Sequence, residues 1–226
     1  MSNAAYEVID DFFDVDFFEQ LNAEFPFTLG SSTEIATLVN QYHAPGSEHY
    51  APFMFWEGWH KKPEDTVLKK AIRLLWEDRL PCAIEDVCGF EYWVRTFSVG
   101  QFLNIHVDED TFAYEENKSF NAPVYGCVYY GTTDEVVGGE LQLHSSIIEG
   151  HPIGVLERNS LNKLSTPEND RVSIKHIGNR AIFFNAGRQL HNTVPTASGI
   201  RKVLVVNVWH KDSPPRGLSK GMFAYE

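Results

Sequence analysis

After residue 90 the chain becomes a succession of short β-rich runs: "EYWVRTF", "QFLNIHV", "PVYGCVYY", "GELQLH", "RVSIKH", "RAIFFN" and "RKVLVVNVW". Gly, Asn, Asp and Pro punctuate them, and no helical periodicity separates one from the next. Many short strands in direct succession predict a sandwich or jelly roll. The expected fold is therefore mainly β with an α flank. A jelly-roll core spans 91–210, N-terminal helices from 1–90 pack on one of its sheets, and 211–226 is a C-terminal tail. No linker divides the 226 residues, so one domain is expected.

The front third has the helical texture. "YEVID" at 6–10 reads as a short strand, and Asp14 can cap a helix carrying Phe17, Phe18, Leu21 and Phe25 at helical spacing, ended by Pro26. Residues 31–62 are turn-rich. "PEDTVLKKAIRLLWEDRL" predicts a helix with Pro63 in its first turn and Glu64 and Asp65 at the positive end of its dipole. Val67, Leu68, Ala71, Ile72, Leu75 and Trp76 form its apolar face, which is core packing. The stretch 145–175 is long for a strand connection, the form that lids and surface insertions share.

Composition narrows the function. Hydrophobic residues are 43% of the chain and aromatics 13%, enough for a packed interior. The net charge is −12, with 31 acidic against 19 basic residues and no basic stripe. That balance argues against nucleic acid and anionic membrane surfaces as partners. No run approaches the roughly 18 apolar residues of a membrane span. The acidic N-terminus does not resemble a secretion signal, and Cys82, Cys88 and Cys127 match no zinc pattern and read as free thiols. A cytoplasmic protein is expected. Oligomeric state has no readable signal.

The chemistry is carried by "NIHVDED", residues 104–110. Side chains two apart on a strand face the same way, so Asn104, His106 and Asp108 would all point inward. An imidazole and a carboxylate so placed can chelate one metal ion. A second histidine, His191, follows the apolar run "RAIFFN" at the start of a turn containing Pro195 and Gly199. Two histidines and one carboxylate on one side of an ion suit non-haem Fe(II) oxygenases, and catalytic zinc as the competitor. Ten residues beyond His191, Arg201 opens an apolar strand. A buried arginine there calls for an anion, and its fork fits a carboxylate bidentately. This tips the balance to iron.

These residues resemble the 2-oxoglutarate- and Fe(II)-dependent dioxygenases, in particular their prolyl-4-hydroxylase-like branch. "FSVGQFLNIHVDED" is similar to the family's lead into His-x-Asp. "VYGCVYYGTTDEVVGGELQLH" is similar to its tyrosine-bearing strand, turn and Gly-Gly-x-Leu. "IGNRAIFFNAGRQLHNTVPTASGIR" is similar to its distal histidine, Pro and Gly-x-Arg, and "YEVIDDFFDVDFFEQL" to its usual start. The resemblance covers about 90–210 and implies a double-stranded β-helix. It implies that His106, Asp108 and His191 bind Fe(II) and that Arg201 pairs with the distal carboxylate of 2-oxoglutarate. Tyr130 would place its hydroxyl on that carboxylate. Asn104 is not diagnostic of the family, but its inward parity beside His106 makes it a candidate to bond the metal-bound carboxylate. O2 is the second co-substrate, and ascorbate is an admitted further cofactor. The activity implied is hydroxylation of an unactivated C–H bond in a prolyl, other amino-acid or peptide substrate, or another small molecule, with release of succinate and CO2.

Departures from the family pattern bear on subclass. Phe97 stands where many relatives have tyrosine, and Arg201 where many prolyl hydroxylases have lysine. Asp108 is present where the family's halogenases have Gly or Ala, and the extra arginines of its nucleic-acid demethylases are missing. The alternatives are a cupin-like metal enzyme without 2-oxoglutarate and a non-catalytic jelly-roll binding protein. His144, His151 and His176 read as surface or loop histidines, His210 as structural, and Glu109, Asp110, Glu115 and Glu116 as a solvated loop.

Overall fold

The computed structural model describes residues 6–24, 54–110, 113, 116–117, 119–131, 134–147 and 170–219. Phe25, Pro26, most of 31–62, Glu115, His151 and most of the 145–175 excursion lie outside the described residues. In chain order the elements begin with β1 (Tyr6–Ile9), α1 (Val15–Glu24), β2 (Met54–Trp56) and α2 (Val67–Trp76). They continue with β3 (Val87–Phe97), β4 (Tyr125–Tyr130), β5 (Val137–Gly138), β6 (Leu141–Ile147) and β7 (Arg171–Ile174). Last come β8 (Arg180–Phe184), β9 (Gln189–Thr193), β10 (Thr196–Ser198), β11 (Arg201–His210) and α3 (Arg216–Ser219). Every strand pair is antiparallel. No described helix is long and apolar enough to cross a membrane.

The main sheet runs β1-β8-β4-β11-β3-β2, a smaller sheet runs β7-β6-β9, and β10 pairs with β5. This is the expected jelly-roll arrangement with an α flank. The period-two alternation divides the main sheet into two faces. One carries Tyr92, Cys127, Tyr129, Phe183, Leu204, Val206 and Val208 against Phe17 and Leu21 of α1 and Leu68, Ala71, Ile72, Leu75 and Trp76 of α2. The other carries Phe97, Val128, Tyr130, Ile182, Phe184 and Val203 against Leu141 and Leu143 of β6 and Ile174 of β7. Each large side chain buried in these layers contributes about 1.5–3 kcal/mol.

The front third does more than flank the core, because β1 and β2 form the two edges of the main sheet. The predicted helix over 63–80 is shorter at both ends. Thr66, in extended conformation, caps it by accepting from the Lys69 N–H at 3.2 Å, so Pro63 stands outside. Asp14 caps α1 as expected, accepting from the Phe17 N–H at 2.9 Å.

Asn179 joins the helical layer to the sheet. Its φ of 61° is one that asparagine tolerates and most residues resist. Its Oδ1 accepts from the Phe13 N–H and the Tyr129 hydroxyl, each at 3.0 Å, and its Nδ2 donates to the Phe13 carbonyl at 2.8 Å. Asn179→Ala leaves the buried Phe13 amide without a partner and puts into the left-handed region a residue that tolerates it less well than asparagine. The expected loss is about 2–4 kcal/mol, read as a lower midpoint in urea unfolding.

Candidate metal centre

Residues 101–107 were expected to form a strand, but they form none. They meet the small sheet through one bridge, His106 to His191, and through Leu103, whose carbonyl accepts from the Thr193 N–H at 3.1 Å and whose N–H donates to Thr193 Oγ1 at 2.7 Å. The His106 N–H donates to the His191 carbonyl and the His191 N–H to the His106 carbonyl, both at 2.9 Å. The Asp108 N–H donates to Ala186 O at 2.8 Å, in the turn between β8 and β9. These three bonds fix the His-x-Asp loop against the second histidine. His191 itself lies inside β9 rather than at a turn, and only 5% of it is exposed.

Ligand atoms of His106, Asp108 and His191 all lie within 4.8 Å of one another. Each Nε2 stands 3.6 Å from Asp108 Oδ1. Each imidazole also places Nδ1 on the carbonyl two residues back: His106 on Asn104 O at 2.6 Å, His191 on Gln189 O at 2.9 Å. A carbonyl accepts only from N–H, so both rings carry a proton on Nδ1 and turn the Nε2 edge toward Asp108. Burial, then the neighbouring His191, lowers the His106 pKa to about 4, against the pull of Asp108. Burial raises the Asp108 pKa, but His191, His106 and Asn207 outweigh it and hold the carboxyl below its usual range. A cation bound here would take up the Nε2 of each ring and the ionised carboxylate. Two nitrogens and one oxygen on one side fit a facial site with open positions.

The remaining Asp108 oxygen, Oδ2, accepts from Asn207 Nδ2 at 3.0 Å. Asn207 is 1% exposed, and Gly126 on the neighbouring strand leaves room for it, since a Cβ there would meet Asn207 Oδ1 at 2.6 Å. Asn207→Ala frees the carboxylate to rotate. It should weaken metal binding about 10–100-fold, the range for such supporting partners, measured by Mn(II) titration.

A second group of polar atoms lies on the same inter-sheet face. Arg201 is 2% exposed, and its guanidinium carbon sits 4.8 Å from the Phe97 ring and 5.4 Å from the Tyr130 ring. Arg201 Nε and Nη1, Tyr130 Oη, Thr196 Oγ1 and His176 Nε2 are all buried with no hydrogen-bond partner among the described residues. The His176 ring lies tilted against Tyr130, with ring centroids 4.4 Å apart. Burial, then Arg201, lowers the His176 pKa to about 4, so it adds no second charge beside Arg201. Donors left unpaired around a buried guanidinium fit an incoming carboxylate. Phe97, lacking a hydroxyl, instead offers a ring face to the guanidinium.

Comparison with known proteins supplies the fold. No protein-family model matches the chain, and no curated protein matches its sequence. Among solved structures, a Pseudomonas putida prolyl-4-hydroxylase matches at TM-score 0.54 and 12% identity, over 92% of this chain and 90% of that one. A prolyl hydroxylase from Trichoplax adhaerens, in complex with a peptide fragment of the hypoxia inducible factor oxygen degradation domain, matches at TM-score 0.51 and 13% identity, over 96% and 88%. The chain has the prolyl-4-hydroxylase-like 2-oxoglutarate/Fe(II) oxygenase fold.

On this prolyl-hydroxylase fold the structure brings His106, Asp108 and His191 together, with Arg201 and Tyr130 as a buried pair on the face next to them. It does not bring in Asn104, which is exposed and contributes its carbonyl to His106. The inward parity expected for it fails because the stretch is not a strand. His144 and His176 are buried, at 2% and 8% exposure, contrary to the surface reading. His144 lies on β6 and bonds Asn192 Oδ1 at 2.7 Å. Asp110 is buried too, accepting from the Ala113 N–H at 3.1 Å and the Arg216 N–H, so it organises its loop. Sequence reasoning missed Asn207, although the signal was present. It is the one polar residue in "VLVVNVW", six positions after Arg201 and so on the same face.

Proposed function

We propose that the protein is an Fe(II)- and 2-oxoglutarate-dependent dioxygenase that hydroxylates an unactivated C–H bond of an amino-acid or peptide substrate. What supports this most is the buried Arg201–Tyr130 pair, whose polar atoms lack partners on the face next to the His106–Asp108–His191 cluster. A metal enzyme without 2-oxoglutarate would leave that guanidinium desolvated with nothing to bind, at a cost of several kcal/mol. The similar Trichoplax adhaerens enzyme was solved with a peptide, which fits a peptide or amino-acid substrate here.

In this reading His106, Asp108 and His191 hold the iron, and Asn207 keeps the carboxylate in place. Arg201 and Tyr130 hold the far carboxylate of 2-oxoglutarate and stop the co-substrate from turning. Bound iron with 2-oxoglutarate supplies the oxidising chemistry: one oxygen atom of O2 enters the co-substrate, which leaves as succinate and CO2, and the other becomes the new hydroxyl. The flanking apolar side chains, Phe184 and Val203 among them, exclude water from the inter-sheet space. The test is succinate release over a panel of peptides and amino acids, with His106→Ala as the blank. Metal-dependent succinate that rises with one class of substrate is the expected result. None above the blank would count against the reading.

A further inference from the structure

Arg95 has no role in the account so far, yet it faces the same space. Residues directly opposite in neighbouring strands share a face. The β3–β11 register sets Phe97 opposite Arg201, Arg95 opposite Val203, Trp93 opposite Val205, and Glu91 opposite Asn207. Phe97, Val203 and Val205 belong to the inter-sheet core, so Arg95, Trp93 and Glu91 point the same way. Arg95 is partly buried, and its charge acts on both Asp108 and His106.

Among the described residues the Arg95 side chain makes no hydrogen bond and no ion pair. The two nearby carboxyls are otherwise engaged. Asp108 turns Oδ1 to the histidines and gives Oδ2 to Asn207. Glu91 Oε2 accepts from the Trp209 indole N–H at 2.9 Å, and burial pushes its pKa up to about 8. A partly desolvated guanidinium with no counter-charge is a costly feature, and an arriving anion offsets that cost. In a chain with 31 acidic against 19 basic residues, two guanidinium groups on one internal face reverse the local sign. Such a focus draws anions inward.

The position also separates Arg95 from the co-substrate pocket. Tyr130 flanks Arg201 from the β4 side of β11, whereas Arg95 stands on β3, the opposite side. Among the described residues β2 pairs only with Phe90–Tyr92 of β3, so Arg95 lies beyond the covered part of that strand.

We propose that Arg95 binds a carboxylate of the primary substrate, so that the pocket takes an anionic amino-acid or peptide compound rather than a neutral one. This rests on the dioxygenase reading. The carboxylate could be the α-carboxylate of a free or N-acylated amino acid, or a side chain of an acidic peptide.

The test uses the full chain loaded with Mn(II) and N-oxalylglycine, a non-reacting analogue of 2-oxoglutarate. Paramagnetic relaxation of ligand protons reports binding beside the metal. The probes are L-proline, N-acetyl-L-proline and a short Asp-containing peptide, each against its carboxamide or Asn counterpart. At least one carboxylate should bind about tenfold more tightly than its neutral partner, as a charged hydrogen bond implies. Which probe does so distinguishes the two sources. Arg95→Gln should erase the difference and Arg95→Lys restore part of it, with N-oxalylglycine affinity unchanged in both and a thermal midpoint no lower than the wild type's. The proposal is overturned if no carboxylate is preferred, if Arg95→Gln keeps the preference, or if that variant loses N-oxalylglycine instead. Failure of the wild-type protein to bind N-oxalylglycine at all would overturn the dioxygenase reading with it.

Discussion

Asp108→Ala should bind Fe(II) or Mn(II) more than about 100-fold more weakly than the wild type, beyond the 10–100-fold range for loss of a supporting partner. Asp108 is the one anionic ligand of the three, and its Oδ1 faces both Nε2 atoms at 3.6 Å. Without it a dication would meet two neutral imidazoles inside a desolvated pocket, with Arg95 and Arg201 adding like charge. The fold should survive, because the His106–His191 bridge and the Asp108–Ala186 contact are made by backbone atoms. Circular dichroism and thermal unfolding of the metal-free variant check that. Wild-type metal affinity in Asp108→Ala would show that the cluster is not the metal site.

Arg201→Met should separate function from stability. The side chain is 2% exposed, with two of its nitrogens unpaired, so without an anion the guanidinium burdens the fold. Replacing it with an apolar side chain of similar length should raise the stability of the ligand-free protein by about 1–2 kcal/mol. That is the gain typical of removing a buried charge, less its contacts with the Phe97 and Tyr130 rings. The same change should weaken 2-oxoglutarate binding about 100- to 1,000-fold, the cost of leaving a buried carboxylate without its partner. Arg201→Lys should fall between, since an ammonium keeps the charge and loses the fork. Thermal unfolding and calorimetric titration read the two effects independently. A variant both less stable and unchanged in 2-oxoglutarate affinity would mean that Arg201 is a packing residue.

Where a strong period met a buried surface, the sequence was readable. The apolar face of α2 and the alternation in β4 followed from it, though not which side of β4 the core encloses. The three residues named for iron, His106, Asp108 and His191, do cluster, and Arg201 is buried on the inter-sheet face of the main sheet. What the sequence hid was set by contacts between distant segments. "QFLNIHV" has the composition of a strand but makes only one bridge and a few scattered bonds to β9 and β10, not a continuous ladder, so the strand parity used for Asn104 did not apply. His144 and His176 sit in polar, turn-rich surroundings in the sequence, and only the pairing of β6 with β9 and the contact with the Tyr130 ring bury them. Asp110 looked like one of several solvated acids until Arg216, 106 residues away, supplied a backbone N–H. Arg95 and Glu91 were visible as charges inside an apolar strand, but their role depends on which face the sheet encloses.

The central claim is that one cation and one 2-oxoglutarate bind at the joined His106–Asp108–His191 and Arg201 site. Anaerobic calorimetric titration of 2-oxoglutarate, with and without Mn(II) in place of Fe(II), tests it most directly. The account predicts one molecule bound per chain, far more tightly with the metal, with the metal effect lost in Asp108→Ala and the binding lost in Arg201→Met. Binding that is absent, or equally tight with and without the metal, would contradict it.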